Sequence, residues 1–465
     1  MPITLLLDLD DTLLETNMDV FIPAYFKALS AALAEKVAPE VMIPALTGGT
    51  KAMMVNTDPA LTLRDVFDAY FFPRLGFDRS ALQTAIDRFY DEIFPTLGAL
   101  TKPIPEAVRL VDWAFAQGYR VVIATNPFFP LKAVQHRLRW AGLPPEKYPF
   151  ALVTSYETFH FTKETVAYYP EVLAQLGWPE DPAVMVGDDI EREVKPTQAA
   201  GFPVFWVRKS GEVSAEPGGV PRGSPGSRTG QGSPGSRVTV PVLERGTGRG
   251  SPGSREVVPV PERGGVVPVP GRGVIVPVLE RGMGQGTLES FRGWLEKTDP
   301  ETLKISFQTP QALLANLRST PAAIATLVAS LSLDAWRRQP APAEWCLTEI
   351  LCHLRDVERE VNLPRIRKLL AEENPFLAGE VTDRWVEERH CAEQDGRQAL
   401  ADFIAARKEA LGLLNGLQAE WSRTARHAIF GPTTLLELTG FVAGHDRAHI
   451  QQIWKTMQAF HKVYS

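Results

Sequence analysis

Two carboxylates stand at i and i+2 just past a short apolar run, in Asp8-Leu9-Asp10-Asp11-Thr12. At such a strand end both can reach one small space in front of a sheet, where open α/β sheets bind ligands. One could attack an electrophile and the other move protons, provided a cation holds the excess negative charge. The bland alternative is a strand ending in an acidic turn. Further along, Thr125-Asn126-Pro127 closes another apolar run, and a hydroxyl there can donate to an anionic oxygen. Gly187-Asp188-Asp189 closes a third, with Glu191 and Glu193 following. Carboxylates at a second strand end could complete a Mg²⁺ site, since hard cations take oxygen ligands. A separate set is made of imidazoles. His445 and His449 lie at i and i+4 on one predicted helix face, and His353 lies on another helix. Converging imidazoles can hold a divalent metal and leave coordination sites open, although such a pair alone is more often surface or satisfied core.

The elements that must position these groups are readable. Residues 3–7, 119–124, 183–186 and 204–207 are brief apolar runs separated by helical patterns. That alternation predicts a parallel, doubly wound sheet. Helical periodicity over about 19–36 and 63–94, broken near Pro73 and Gly76, fills the interval 15–100 with no clear strand. An all-helical insert directly after the first strand would lie over the carboxyl ends of the sheet as a lid. A helix over 105–117 stops at Gly118, and 204–207 reads as the last strand. From residue 309 onward no convincing strand is seen. Helical segments over about 309–331, 345–371, 395–420 and 433–459 predict an antiparallel four-helix bundle, with Trp336, Trp345, Trp385, Trp421 and Trp454 as anchors rather than a base-stacking platform.

Between these regions the composition changes. Gly-Ser-Pro-Gly-Ser-Arg recurs at 223–228, 232–237 and 250–255, and a Val-x-Val-Pro-Val-Leu-Glu-Arg-Gly unit at 238–246 and 274–282. Units this short and this rich in Pro and Gly bury no core, so 209–286 reads as a disordered tandem insertion, dispensable for folding. Residues 287–298 then read as an amphipathic helix with a Thr or Ser cap.

Two resemblances follow from these motifs. Asp8-Leu9-Asp10-Asp11-Thr12-Leu13, Thr125, Lys163 in Phe161-Thr162-Lys163-Glu164, and Gly187-Asp188-Asp189 with Glu193 occur in the order of the four motifs of the haloacid dehalogenase-like (HAD) hydrolases, most of which are phosphatases. Residues 1–208 resemble such a domain, with its cap at about 15–100 and a tail helix at 287–298 returning after the repeat. The resemblance implies Asp8 as nucleophile, Asp10 as general acid and base, and Thr125 and Lys163 on the phosphoryl oxygens. Asp8, the Asp10 carbonyl and Asp188 would hold Mg²⁺, with Asp189 and Glu193 as candidate outer ligands. Glu164 stands where the family usually has Pro, and Glu193 where Asp is usual. Trp345 to Leu354 and Gly444 to Ile453 resemble the DinB-like bundles over about 305–460. In that family one His from the second helix and two from the last bind a metal, which implies His353, His445 and His449 around Zn, Ni or Fe. Glu349 and Asp356 either orient His353 or are solvated charges.

The expected activity is therefore Mg²⁺-dependent hydrolysis of a small-molecule phosphate ester. The alternatives are a metal-dependent thiol transferase in the bundle, or a regulatory scaffold. Net charge is −6 and pI about 5.9, which gives no general attraction to nucleic acid. The first apolar run lacks a basic flank and stops at Asp8, so neither a signal peptide nor a membrane span is expected. Three cysteines suit a reducing, cytoplasmic setting, and an oligomer formed through the bundle is compatible with the sequence.

Overall fold

The computed structural model describes residues 2–208 and 282–461. Of the stretch 209–286 expected to be disordered, residues 209–281 lie outside the described ones, whereas Met283–Gly286 form a strand.

The first region is built on a parallel sheet. Its chain order is β1 (Thr4–Leu7), β2 (Leu14–Thr16), β3 (Thr101–Pro103), β4 (Arg120–Ile123), β5 (Leu152–Val153), β6 (Ala183–Gly187), β7 (Val204–Val207) and β8 (Met283–Gly286). The main sheet runs β5-β4-β1-β6-β7-β8, and every neighbouring pair is parallel. Its central strands carry near-continuous aliphatic runs because helices cover both faces; all four residues of β1 are buried. The chain leaves β1 for β4 on one side and later crosses to β6 on the other. Their shared carboxyl ends form the switch point at which such sheets bind ligands.

β7 is not the last strand. β8 pairs with it in parallel, Val204 opposite Met283 and Val207 opposite Gly286. Met-Gly-Gln-Gly carries no strand signal. Its glycines suit close packing instead: a Cβ on Gly284 would lie 2.4 Å from the Trp294 ring. The following helix Leu288–Lys297 buries Leu288, Phe291 and Leu295. Phe291 and Trp294 meet Phe205 of β7 at 5.1 and 5.2 Å, and Arg109 pairs with Glu289.

β2 and β3 form an antiparallel two-stranded ribbon, and the helical insert grows from its ends. Its helices are Met18–Leu33, Pro39–Met54, Leu63–Leu75 and Arg79–Arg88. The third is started by a reciprocal Thr62–Asp65 capping box and stopped by Gly76 at φ 74°. The second escapes a pattern reading because Pro44, Gly48 and Gly49 look like breakers. The fold uses those glycines for close approach. A Cβ on Gly48 would lie 2.2 Å from Tyr70, and one on Gly49 2.8 Å from Phe67.

The second region contains the helices Pro310–Val328, Leu347–Val357 continuing through a π-helical turn to Leu363–Ala371, Gly396–Leu414, and Leu435–His461. It also contains strands, contrary to expectation. β9 (Phe376–Leu377), β10 (Thr424–His427) and β11 (Gly431–Thr434) form a small sheet in the order β11-β10-β9. These strands are too short for a period to show, and the turn depends on Gly431 at φ 74°.

One apolar cluster runs from the sheet through helix Tyr168–Gln175 into the bundle, joining Leu6, Met185 and Leu173 to Ile324 and Ile450. Polar contacts flank it. Thr326 Oγ1 donates to Thr158 O at 2.9 Å, Gln451 Nε2 to Trp178 O at 3.0 Å, and Lys408 pairs with Asp58 at 2.7 Å. Among the described residues no helix is long and apolar enough to cross a membrane.

Candidate active site and metal centre

The turn after β1 decides where the first carboxylates go. Leu9 O accepts from both Leu13 N and Leu14 N at 2.9 Å, and Asp11 N donates to Leu14 O at 2.7 Å. Asp11 takes the left-handed conformation at φ 56°, which a short polar side chain tolerates. The chain folds back at once, so Asp8 and Asp10 line one cavity in front of the sheet. Thr125 after β4, Lys163, Asp188 and Asp189 after β6, and Glu193 line the same cavity.

Lys163 Nζ lies 2.5 Å from Asp8 Oδ1 and 2.8 Å from Glu193 Oε1, with all three residues buried. Burial alone would lower the Lys163 pKa. The carboxylates of Asp8 and Glu193 outweigh it and hold the ammonium well above its ordinary value. Asp188 is pushed up to about 7, by burial first and then by the negative charge of Asp8 and Asp11. Glu193 moves the same way, through burial and then Asp8. Asp8, Asp188 and Glu193 present oxygens within 4.8 Å of one another. One lysine does not neutralise three carboxylates, so this donor set fits a hard divalent cation.

Two of the acidic groups also have protein donors. Glu193 sits on a π-helical turn, Ile190–Val194, a local widening common at functional sites. Its Oε2 accepts from Asp189 N at 3.1 Å, so both of its oxygens are occupied by protein donors. Gly187 is required beneath it, since a Cβ there would meet Glu193 Oε2 at 1.8 Å. Asp189 Oδ1 caps the turn, accepting from Glu191 N at 2.8 Å and Arg192 N at 3.0 Å.

In the bundle, His353 Nε2 and His449 Nε2 each lie 3.1 Å from His445 Nε2. A tetrahedral ion with nitrogen ligands at 2.0–2.1 Å would hold such atoms about 3.3–3.4 Å apart, so the cluster fits a metal. His449 Nδ1 bonds Gln452 Oε1 at 2.9 Å, which leaves its Nε2 lone pair toward the other two rings. Burial first, and the facing imidazoles second, push His353 and His445 down to about 3. They are therefore neutral, the form that ligates a metal. The Trp345 ring stacks 6.2 Å from His449.

Residues 4–201 match the family model of the haloacid dehalogenase-like hydrolases, and residues 316–453 match that of the DinB superfamily. The chain carries a HAD-like hydrolase region followed by a DinB-like region. No curated protein matches it. Solved structures similar to the hydrolase region include a HAD phosphatase from Thermococcus onnurineus, at 18% identity over 46% of this chain and 88% of that one, with a TM-score of 0.30. Another is a 2-haloacid dehalogenase from Pseudomonas syringae pv. Tomato DC3000, at 21% identity over 44% and 86%, with a TM-score of 0.32. The DinB-like region is similar to YfiT from Bacillus subtilis, a four-helix bundle, at 20% identity over 34% of this chain and 91% of that one, with a TM-score of 0.31.

The HAD-like region holds residues that sequence reasoning missed. Arg137, on helix Leu131–Trp140, is 1% exposed and pairs with Asp10. Burial pushes its guanidinium down to about 10 against the attraction of Asp8. In sequence it stands with Lys132 and Arg139 on an amphipathic helix and reads as solvated. Asn126 accepts from Lys163 N at 3.3 Å and donates to both Glu164 oxygens at 3.2 Å, so Glu164 anchors the lysine loop. Tyr168 OH and Thr154 Oγ1 donate to Thr125 O at 2.9 and 2.6 Å. In the DinB-like region Glu349 caps its helix by accepting from Cys346 N. Asp356 is not a solvated charge: it is buried and paired with Arg355 and Arg389.

Proposed function

We propose that the HAD-like region is a Mg²⁺-dependent phosphatase acting on a small-molecule phosphate monoester. The observation that carries this reading is the convergence of Asp8 and Asp188, at the ends of adjacent strands, with the loop residue Lys163, and with Asp10 in the same cavity. Asp8 attacks phosphorus and the ester oxygen leaves, forming an aspartyl-phosphate. Asp10 gives its proton to the leaving oxygen, then takes one from the attacking water. Thr125 and Lys163 hold the phosphoryl oxygens, and Arg137 keeps Asp10 aimed into the cavity. Asp8, the Asp10 carbonyl and Asp188 would hold the cation, with Asp189 and Glu193 outside them. When bound, Mg²⁺ neutralises the charge that builds on the phosphoryl group.

Residues 305–460 are proposed to form a domain holding one divalent transition metal, Zn, Ni or Fe, through His353, His445 and His449. Residues 1–208 with the tail 287–298 are proposed as the phosphatase domain. The three cysteines are buried and free, which supports a reducing cytoplasmic setting.

The test is product release by the full chain with Mg²⁺ and with EDTA. Wild type should release phosphate, and Asp8→Asn should abolish turnover. Asp10→Asn should lose about 10²–10⁴-fold on alkyl phosphates and much less on p-nitrophenyl phosphate, whose phenolate leaves unaided. Halide release from 2-haloacids without phosphate release, or Mg²⁺-dependent turnover by Asp8→Asn, would overturn the assignment.

A further inference from the structure

The cavity in front of Asp8 is large, about 610 Å³, and its two ends differ in chemistry. The sheet end holds the carboxylates, Lys163 and Thr125. The insert end is lined chiefly by apolar side chains from all four of its helices, including Phe26, Leu46, Met54, Phe67, Phe71 and Ile86. Of the polar groups that the insert contributes, all but Lys51 are engaged within the protein. Thr47 and Thr50 turn their hydroxyls onto their own helix, donating to Ile43 O at 2.9 Å and Leu46 O at 3.0 Å. Tyr25 and Tyr90 bond each other at 2.9 Å. Arg79 is held by Asp68 at 2.6 Å and faces Tyr156 OH at 3.3 Å. Lys51 is exposed.

A sugar placed here would lay its hydroxyls against Phe71 and Leu46 without partners, and each unpartnered hydroxyl opposes binding. An apolar body gains from the same surface. We infer that the substrate is a phosphate monoester of a bulky apolar alcohol, alkyl or aryl, its phosphate at Asp8 and its hydrocarbon body among the insert helices. This rests on the phosphatase reading for the reaction but not for the binding.

The test uses the full chain with Mg²⁺ and a series of n-alkyl phosphates from two to ten carbons, beside glycerol 3-phosphate and glucose 6-phosphate. Each added methylene should raise kcat/KM roughly three- to fourfold, as expected for burial of one CH₂, until the cavity is full. In parallel, calorimetry of n-alkylphosphonates, which cannot be hydrolysed at the C–P bond, reads affinity without turnover and should show the same climb. Met54→Asp should flatten both slopes. A flat phosphonate series overturns the inference. So does efficient turnover of the two polar esters with no chain-length dependence, which leaves the phosphatase reading standing. Chain-length-dependent phosphonate binding with no phosphate released from any ester does the reverse.

Discussion

Asp188 is a residue whose protonation state is set by its burial and by the charges beside it. Its carboxyl is held at about 7 in the folded protein, from an ordinary 3.8, by burial and by Asp8 and Asp11. A folded pKa above the unfolded one stabilises the metal-free protein below about pH 4 and loses that contribution as pH rises to about 7. His353 and His445 act oppositely. Their folded values near 3 give stability above about pH 6.5 that is lost on acidification. A melting curve of wild type alone would mix the two. The difference in Tm between Asp188→Asn and wild type isolates the carboxylate, since the amide has no charge to bury. In EDTA that difference should favour the variant increasingly from pH 4 to pH 7. Mg²⁺ should shrink it by stabilising wild type. A pH-independent difference would show that Asp188 is not electrostatically crowded.

Four elements of the bundle are tied by one guanidinium. Arg407, on helix Gly396–Leu414, is 1% exposed. It donates to both oxygens of Glu358 at 2.7 and 3.0 Å, to both of Asp446, and to Leu317 O at 3.1 Å. Glu358 opens the π-helical turn Glu358–Asn362, and Asp446 adjoins His445 on the last helix. This clamp sets the rotation of the helix that carries two of the three imidazoles. Arg407→Leu would strand two buried carboxylates and should cost about 3–5 kcal/mol, read as a fall in the urea midpoint at unchanged m-value. His445→Ala and His449→Ala keep the clamp. They should lose bound metal by elemental analysis of the full chain while keeping most of the metal-free stability. Equal metal content in all three proteins would remove these histidines from the site.

At the scale of the molecule, the two regions share a core. A Cβ on Gly177 would lie 2.2 Å from Trp454 of the last helix, and Trp178 meets Phe307 at 5.7 Å. Helix Tyr168–Gln175 lies fully buried. Glu171 there holds the 160–161 backbone, and Tyr168 holds Thr125 O. The bundle therefore backs the loop that presents Lys163. A chain ending at residue 298 should expose that helix and lose cooperative melting or much of its Tm, rather than behave as a free-standing phosphatase. The full chain should melt in one transition that shifts upward with bundle metal. Two well-separated transitions, with the truncated chain melting at the lower or upper of them, would show independent domains.

The sequence by itself determined which polar residues stand at strand ends and on helix faces, and most of the elements beneath them. Strand-end motifs and histidine spacing are local, and helical or strand period is written by burial on one face or both. Asp8, Asp10, Thr125, Lys163 and Asp188 around one cavity, and three imidazoles in contact, were legible for that reason. Only the tertiary structure decided what those residues touch. The Arg137–Asp10 pair, the Glu193 hold on Lys163 and the Arg407 clamp join residues 30 to 127 positions apart. Charged side chains carry no period that separates a buried partner from a solvated one. Likewise Gly48-Gly49 read as a break and Met283–Gly286 as the end of the disordered insertion, because the close packing that makes glycine useful there is supplied by other segments of the chain.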